Sequence, residues 1–170
     1  FYDAQLRRHL DRLGAGEVSI DRTEYGDIPM DDRPRGQQWG RHVWNLGTVG
    51  GMTKPTSGYT FQRIHAQARH LVGHWARGTT PTPLPRPPAR YRFADRTLLN
   101  ILHHRPELGR PIFERLFRTT AIDDVLTFLD EESTLGDDAR MVSKLPRRPF
   151  LRAAASELGA DLSTTIASRR

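Results

Sequence analysis

Asn45-Leu46-Gly47-Thr48-Val49-Gly50-Gly51-Met52-Thr53-Lys54-Pro55-Thr56-Ser57-Gly58-Tyr59-Thr60-Phe61 sets four glycines and a proline between a short apolar segment and an amphipathic one. Glycine adopts backbone angles closed to other residues and lets a flat ligand approach the main chain. The helix expected after the loop turns its free N–H groups and positive dipole end back towards it. The pattern suits a phosphate or flavin cradle, and equally a structural turn. It is not a Walker loop, because no Gly-Lys-Ser/Thr follows the first glycine, and it is not a Gly-x-Gly-x-x-Gly fingerprint.

On either side of the loop, His42 to Leu46 reads as a short buried strand. From Tyr59 to Arg77, Phe61, Ile64, Ala68, Leu71, Val72 and Trp75 fall on one helical face. Together, residues 42–78 read as a strand–glycine loop–helix unit. Residues 79–90 carry Pro81, Pro83, Pro85, Pro87 and Pro88 and read as an extended linker. Residues 91–155 read as a helical region, with apolar clusters at Leu98–Leu102, Ile112–Phe117, Val125–Leu129 and Met141–Leu145. Residues 156–170 are polar and are expected to be a disordered tail.

Upstream, Tyr2, Leu6, Leu10 and Leu13 recur at helical spacing, and Gly14 is a stop signal. Glu17 to Met30 reads as a strand, a turn near Gly26, and a second short extended segment. Residues 31–41 read as an exposed loop. The expected fold class is α+β or mostly α. The chain opens on Phe1-Tyr2-Asp3 inside an amphipathic pattern, as expected of a fragment of a longer protein.

The 170 residues suffice for one core, but only 36% are hydrophobic, so much of the chain must be surface or loop. No apolar run is long enough to span a bilayer. The formal charge is +6, and the only lysines among the basic residues are Lys54 and Lys144; the rest are Arg. The arginines are interleaved with Asp and Glu rather than forming a block, so nucleic-acid binding is not expected. Zero cysteines exclude disulfides and thiol catalysis.

Glu24 lies near a strand end, where a buried carboxylate with a raised pKa can protonate an alkene; the alternative is a solvated strand residue. Asp130, Glu131, Glu132, Asp137 and Asp138 read as a solvated acidic face. His65, His70 and His74 share the clearest helix, but the Glu of a His-Glu-x-x-His site is absent, so no metal is expected. Trp39, Trp44 and Trp75 read as core or interface residues.

Two of these stretches carry a family resemblance. Glu24-Tyr25-Gly26-Asp27-Ile28-Pro29-Met30 resembles the Glu-x-Gly-x-Ile-Pro-Met motif of the flavin-dependent lycopene cyclases. Gly47 to Tyr59 is similar to their glycine-rich Met-x-x-Pro-Ser/Thr-x-Gly-Tyr loop, and the two motifs stand in the family's order. Phe128-Leu129-Asp130-Glu131-Glu132 and Leu145–Leu151 resemble the helical C-terminal region of bacterial members.

The resemblance implies the C-terminal part of a flavoprotein with a Rossmann-type FAD domain and a substrate domain ending within residues 1–41. It implies redox-neutral, acid-catalysed closure of the ends of lycopene to β-rings with reduced FAD, and peripheral contact with the cytoplasmic side of a membrane. Gly47, Thr48, Gly50, Gly51, Met52, Pro55, Gly58 and Tyr59 would contact the flavin, and Glu24 would be a candidate acid or cation stabiliser. Thr48 stands where related hydroxylases carry Asp, which fits a cyclase better than a monooxygenase. Glu131 and Glu132 are not assigned to catalysis. A related monooxygenase or isoprenoid reductase, or an Arg-rich binding module, are the alternatives.

Overall fold

The computed structural model describes residues 1–167, with side-chain surroundings through Ala160. Helix α1 (Tyr2–Arg12) leads into a long irregular segment and a small antiparallel pair, β1 (Gln38–Gly40) and β2 (Val43–Trp44). A 3-10 turn (Gly47–Gly50) and the rest of the glycine loop follow, then α2 (Phe61–Ala76). The C-terminal half is α3 (Ala89–His104), a 3-10 turn (Pro106–Leu108), α4 (Gly109–Thr119), α5 (Ile122–Leu129), α6 (Leu135–Ser143) and α7 (Arg147–Ala167). Mostly helical with one short hairpin, the architecture agrees with the expected class.

The helical half carries the apolar core. Ile101 of α3, Ile112 of α4 and Ala153 of α7 are buried together, with Leu98, Leu108 and Phe150 packed against them. Val125, Met141 and Leu145 bury one face each of α5, α6 and the turn after it. Helix α6 starts on a capping box: Thr134 Oγ1 accepts the Asp137 N–H at 3.2 Å, and the Asp137 carboxylate accepts the Thr134 N–H at 3.2 Å. The Thr134 hydroxyl also donates to the Asp137 carboxylate at 2.6 Å, and this bond, followed by the one from the Thr134 N–H, holds the Asp137 carboxyl below its ordinary pKa.

Four sequence expectations change. First, no strand forms between Glu17 and Met30 among the described residues; Val18 and Ile20 are exposed, and a strand without a partner or a buried face has nothing to offset its ordering entropy. Second, the segment from His42 to Leu46 is not a buried strand: only Val43–Trp44 pair, and Val43 is exposed. Third, the apolar stripe of α2 is buried only at Leu71. Leu71 and the polar Gln67 are buried, whereas Phe61, Val72 and Trp75 are exposed; Trp39 (84% exposed) and Trp75 are therefore not core residues.

Fourth, the polar stretch from Ser156 continues a helix through Ala167, where a tail was expected; residues 168–170 lie outside the described residues. Pro149 sits in the first turn of α7, where a missing N–H breaks no helical bond, and Ala153, Ala154 and Ala155 favour the helix.

Residues 79–88 form neither helix nor strand, and they are tied down. Gln37 donates to the Leu84 carbonyl at 2.8 Å and accepts the Leu84 N–H at 2.8 Å. His70 Nε2 donates to the Thr82 carbonyl at 2.9 Å, and His74 bonds Thr79 Oγ1 at 2.9 Å. The two helix histidines fasten the linker to α2.

Because Ile112 is 2% exposed and central to the α3–α4–α7 contact, Ile112→Ala should destabilise the protein by about 2–5 kcal/mol. Thermal unfolding followed by circular dichroism measures this, with exposed Ile122→Ala as a near-neutral control.

Candidate functional site

The two sequence motifs meet. Gly58 has φ +71°, and a side chain built on it would stand 2.9 Å from Ile28 Cγ2, so the segment carrying Glu24 to Met30 lies directly on the end of the glycine loop. Between them opens a pocket of about 650 Å³, walled by Asp27 and Pro29 from the first motif, Trp39 from β1, and Asn45, Thr48 and Val49 from the loop. Arg35 also stands in the wall, held by Asp31, whose two carboxylate oxygens each accept one guanidinium N–H at 3.0 Å. That bond to Arg35 is the main cause holding the Asp31 carboxyl below its ordinary pKa.

Gln67, 1% exposed on α2, shapes the start of the loop. Its amide accepts the Gly47 N–H and donates to the Asn45 carbonyl, both at 3.0 Å. Two internal bonds then curl the chain, Gly51 N–H to Thr48 O at 3.1 Å and Met52 N–H to Gly47 O at 3.0 Å, with Gly51 at φ +79°. A Cβ on Gly50 would lie 2.2 Å from the Asn45 carbonyl oxygen. The glycine requirement at Gly50 is thus met by the chain's own backbone rather than by a ligand.

The second half of the loop is built on Lys54. Its N–H donates to Tyr59 O at 2.7 Å and its carbonyl accepts the Gly58 N–H at 2.9 Å, closing Lys54-Pro55-Thr56-Ser57-Gly58-Tyr59 into a tight ring. The side chain is 0% exposed. Lys54 Nζ lies 3.1 Å from Asp95 Oδ2 of α3 and 3.5 Å from Glu131 Oε1, and stands over the Phe128 and Tyr91 rings at 5.3 and 5.8 Å. Thr56 Oγ1 donates to the other Asp95 oxygen at 2.7 Å. Arg63 of α2 pairs with Glu131 and donates to the Thr53 carbonyl at 3.2 Å.

Glu131 has φ +66°, a left-handed conformation in which glycine is the usual residue just after a helix. Burial and then the Asp130 carboxylate push the pKa of the Tyr59 phenol up.

The structure places the sequence-derived candidates unequally. Thr48 lines the pocket; Met52 is buried; the N–H groups of Gly51, Met52 and Gly58 are spent on internal carbonyls. Pro55, Gly58 and Tyr59 belong to the Lys54 ring. Glu24 is paired with Arg22 on an exposed strand-free segment, its side chain 72% exposed. The pocket's carboxylate is Asp27, three residues on.

The acidic run is not a uniformly solvated face: Glu131, 12% exposed at its side chain, joins the Lys54 cluster, and Asp138 accepts from Ser133 and pairs with Arg90 at 3.3 Å. Sequence reading missed Asp95 and the role of Lys54. The one available signal was a lysine kept in a chain whose cations are otherwise nearly all Arg. The lysine ammonium is a compact point charge that reaches Asp95 and Glu131 at once.

The family model described as lycopene cyclase protein matches residues 1–155 of the chain. No curated protein and no solved structure gives a match.

Replacing Gly50 with Ala forces its methyl group onto the Asn45 carbonyl, and should cost about 1–3 kcal/mol. Gly26→Ala, with nothing within 4 Å and an ordinary φ, should be nearly neutral. Equal melting temperatures for the two variants would refute this account of the loop.

Proposed function

The chain belongs to the lycopene cyclase family, and from that premise we propose that it works in the acid-catalysed closure of the acyclic ends of lycopene to β-rings, within a protein that uses reduced FAD on a Rossmann-type domain. The observation that carries this reading is the meeting of the two family-like motifs on one open pocket, Asp27 and Pro29 on one side and Asn45, Thr48 and Val49 on the other.

Ring closure needs a proton delivered to the terminal double bond, giving a tertiary cation at C1. The C5=C6 bond attacks C1 to form the ring, and loss of a proton beside the resulting C5 cation restores neutrality and leaves the β-ring. No atom or electron is gained or lost overall. The site must hold an acid and exclude water, which would otherwise trap the cation. Pro29, Trp39 and Val49 offer an apolar wall for a polyene end. Asp27 in the wall and Glu24 just upstream are the carboxylates proposed to deliver the proton or stabilise the cation. Glu24 would need to lose its present solvent to act as an acid.

The residues present fit the ring end of a flavin. Thr48 and the loop edge face the pocket, and α2 begins without a side-chain cap on its first N–H groups. Thr48 would supply the contact edge, with Gly47, Gly50, Gly51 and Met52 shaping the turn behind it, and Pro55, Gly58 and Tyr59 would hold the rest of the loop. Reduced flavin, when bound, supplies an electron-rich ring that stabilises nearby positive charge.

Lycopene is dissolved in membranes, and we propose peripheral contact through the exposed apolar residues of α2, Phe61, Val72 and Trp75. None of the described helices is long and apolar enough to cross a membrane.

Glu24→Gln and Asp27→Asn, each introduced into the full-length protein in lycopene-accumulating cells, test the acid. Cyclised carotenoid should fall at least about tenfold for the residue that delivers the proton. Near-normal yield from both variants would remove them from the mechanism. For the membrane, Trp75→Asp should weaken liposome flotation of the full-length protein several-fold; unchanged flotation would place the contact elsewhere.

A further inference from the structure

We propose that Lys54, Thr56, Asp95 and Glu131 are positioning residues: the C-terminal helices hold the pocket-side loop in its working shape through one buried cation. The inference rests on the pocket reading above and adds to it residues from α3 and the end of α5.

Three observations point the same way. Asp95 uses both carboxylate oxygens on the loop, one for Lys54 Nζ at 3.1 Å and one for Thr56 Oγ1 at 2.7 Å, so a single α3 side chain fixes two loop positions. Lys54 is also the backbone hub of the ring that ends at Tyr59, so fixing its side chain fixes the turn. Glu131 holds a left-handed conformation that glycine would adopt more easily, and the carboxylate placed there reaches Lys54 and Arg63.

A fully buried pair is a poor device for stability alone, because well-packed apolar residues commonly replace such pairs without loss. What apolar packing does not supply is a directional constraint on where the loop stands. Here that constraint falls on residues 53–56, between the pocket edge at Thr48 and the Ile28–Gly58 contact that joins the two motifs.

The test separates position from stability in the full-length protein. Lys54→Met alone leaves Asp95 buried and unpaired, and should lower the melting temperature sharply. Adding Asp95→Asn removes that charge and should restore the melting temperature to within a few degrees of wild type. In the double variant, amide hydrogen exchange across residues 51–59 should nevertheless be at least about tenfold faster, and half-saturation by added FAD at least about tenfold higher.

Thr56→Val removes only the hydroxyl bond to Asp95 and leaves one buried carboxylate oxygen without its donor; it should lower the melting temperature by a few degrees while loop exchange rises at least about threefold. Wild-type loop exchange in Thr56→Val, or in a double variant that melts normally, overturns the proposal. So does a double variant whose melting temperature and loop protection fall together. If wild-type protein binds no flavin, the exchange comparison still decides the positioning role, and the failure belongs to the cofactor reading.

Discussion

Two parts of the chain, separated in sequence by a proline-rich stretch, are joined by a buried ammonium. Lys54 is inaccessible to solvent, and Asp95, 3% exposed, is its nearest counter-charge. In a low-dielectric interior neither charge is tolerable without the other. The glycine loop therefore cannot leave α3 without stranding a charge on each side. The ring around Lys54, the αL backbone at Glu131 and the packing of Tyr91 on Phe128 at 5.6 Å are arranged around that requirement.

The described residues hold two centres of different character. One is apolar, where α3, α4 and α7 bury Ile101, Ile112 and Ala153. The other is polar, where loop, α2, α3 and the end of α5 converge on Lys54 and Glu131. Helix α3 belongs to both: Ile101 faces one and Tyr91 and Asp95 the other, with Tyr91 O–H donating to Ser133 O at 3.0 Å. Outside these centres lie α1, with no buried residue, and the exposed stripe of α2. The apolar side chains of this chain are thus more numerous than its own interior accommodates.

What was legible in the sequence follows the range of the forces involved. Helices α2 to α6 are written locally, in apolar spacing, in the stop at Gly78 and in the start signal at Pro111. Of the strands only β2 was legible, inside the strand expected from His42 to Leu46; β1 forms where a loop was expected, and Val18 and Ile20 alternate but find no partner, because pairing is a property of two segments. The face of α2 was misread because the apolar stripe was taken as the inner face, whereas Gln67 is drawn inside by the two unsatisfied backbone groups of Gly47 and Asn45. Lys54 stood in plain view within the decisive loop. Its partner Asp95 lies across the linker, among residues that look like an ordinary helix surface, and no local pattern announces a long-range ion pair.

Gly50 bears on how such loops are recognised at all. Its side-chain position is filled by the Asn45 carbonyl oxygen, so any larger residue collides with the chain itself. Selection on folding alone is enough to keep this glycine. A descendant that had abandoned its ligand would retain it, and would still present the same signature to anyone reading its sequence. The persistence of Gly50 in a lineage therefore records inheritance of a turn. Evidence for a living cofactor site has to come from a position such as Val49, which faces open space in the pocket wall and is 66% exposed.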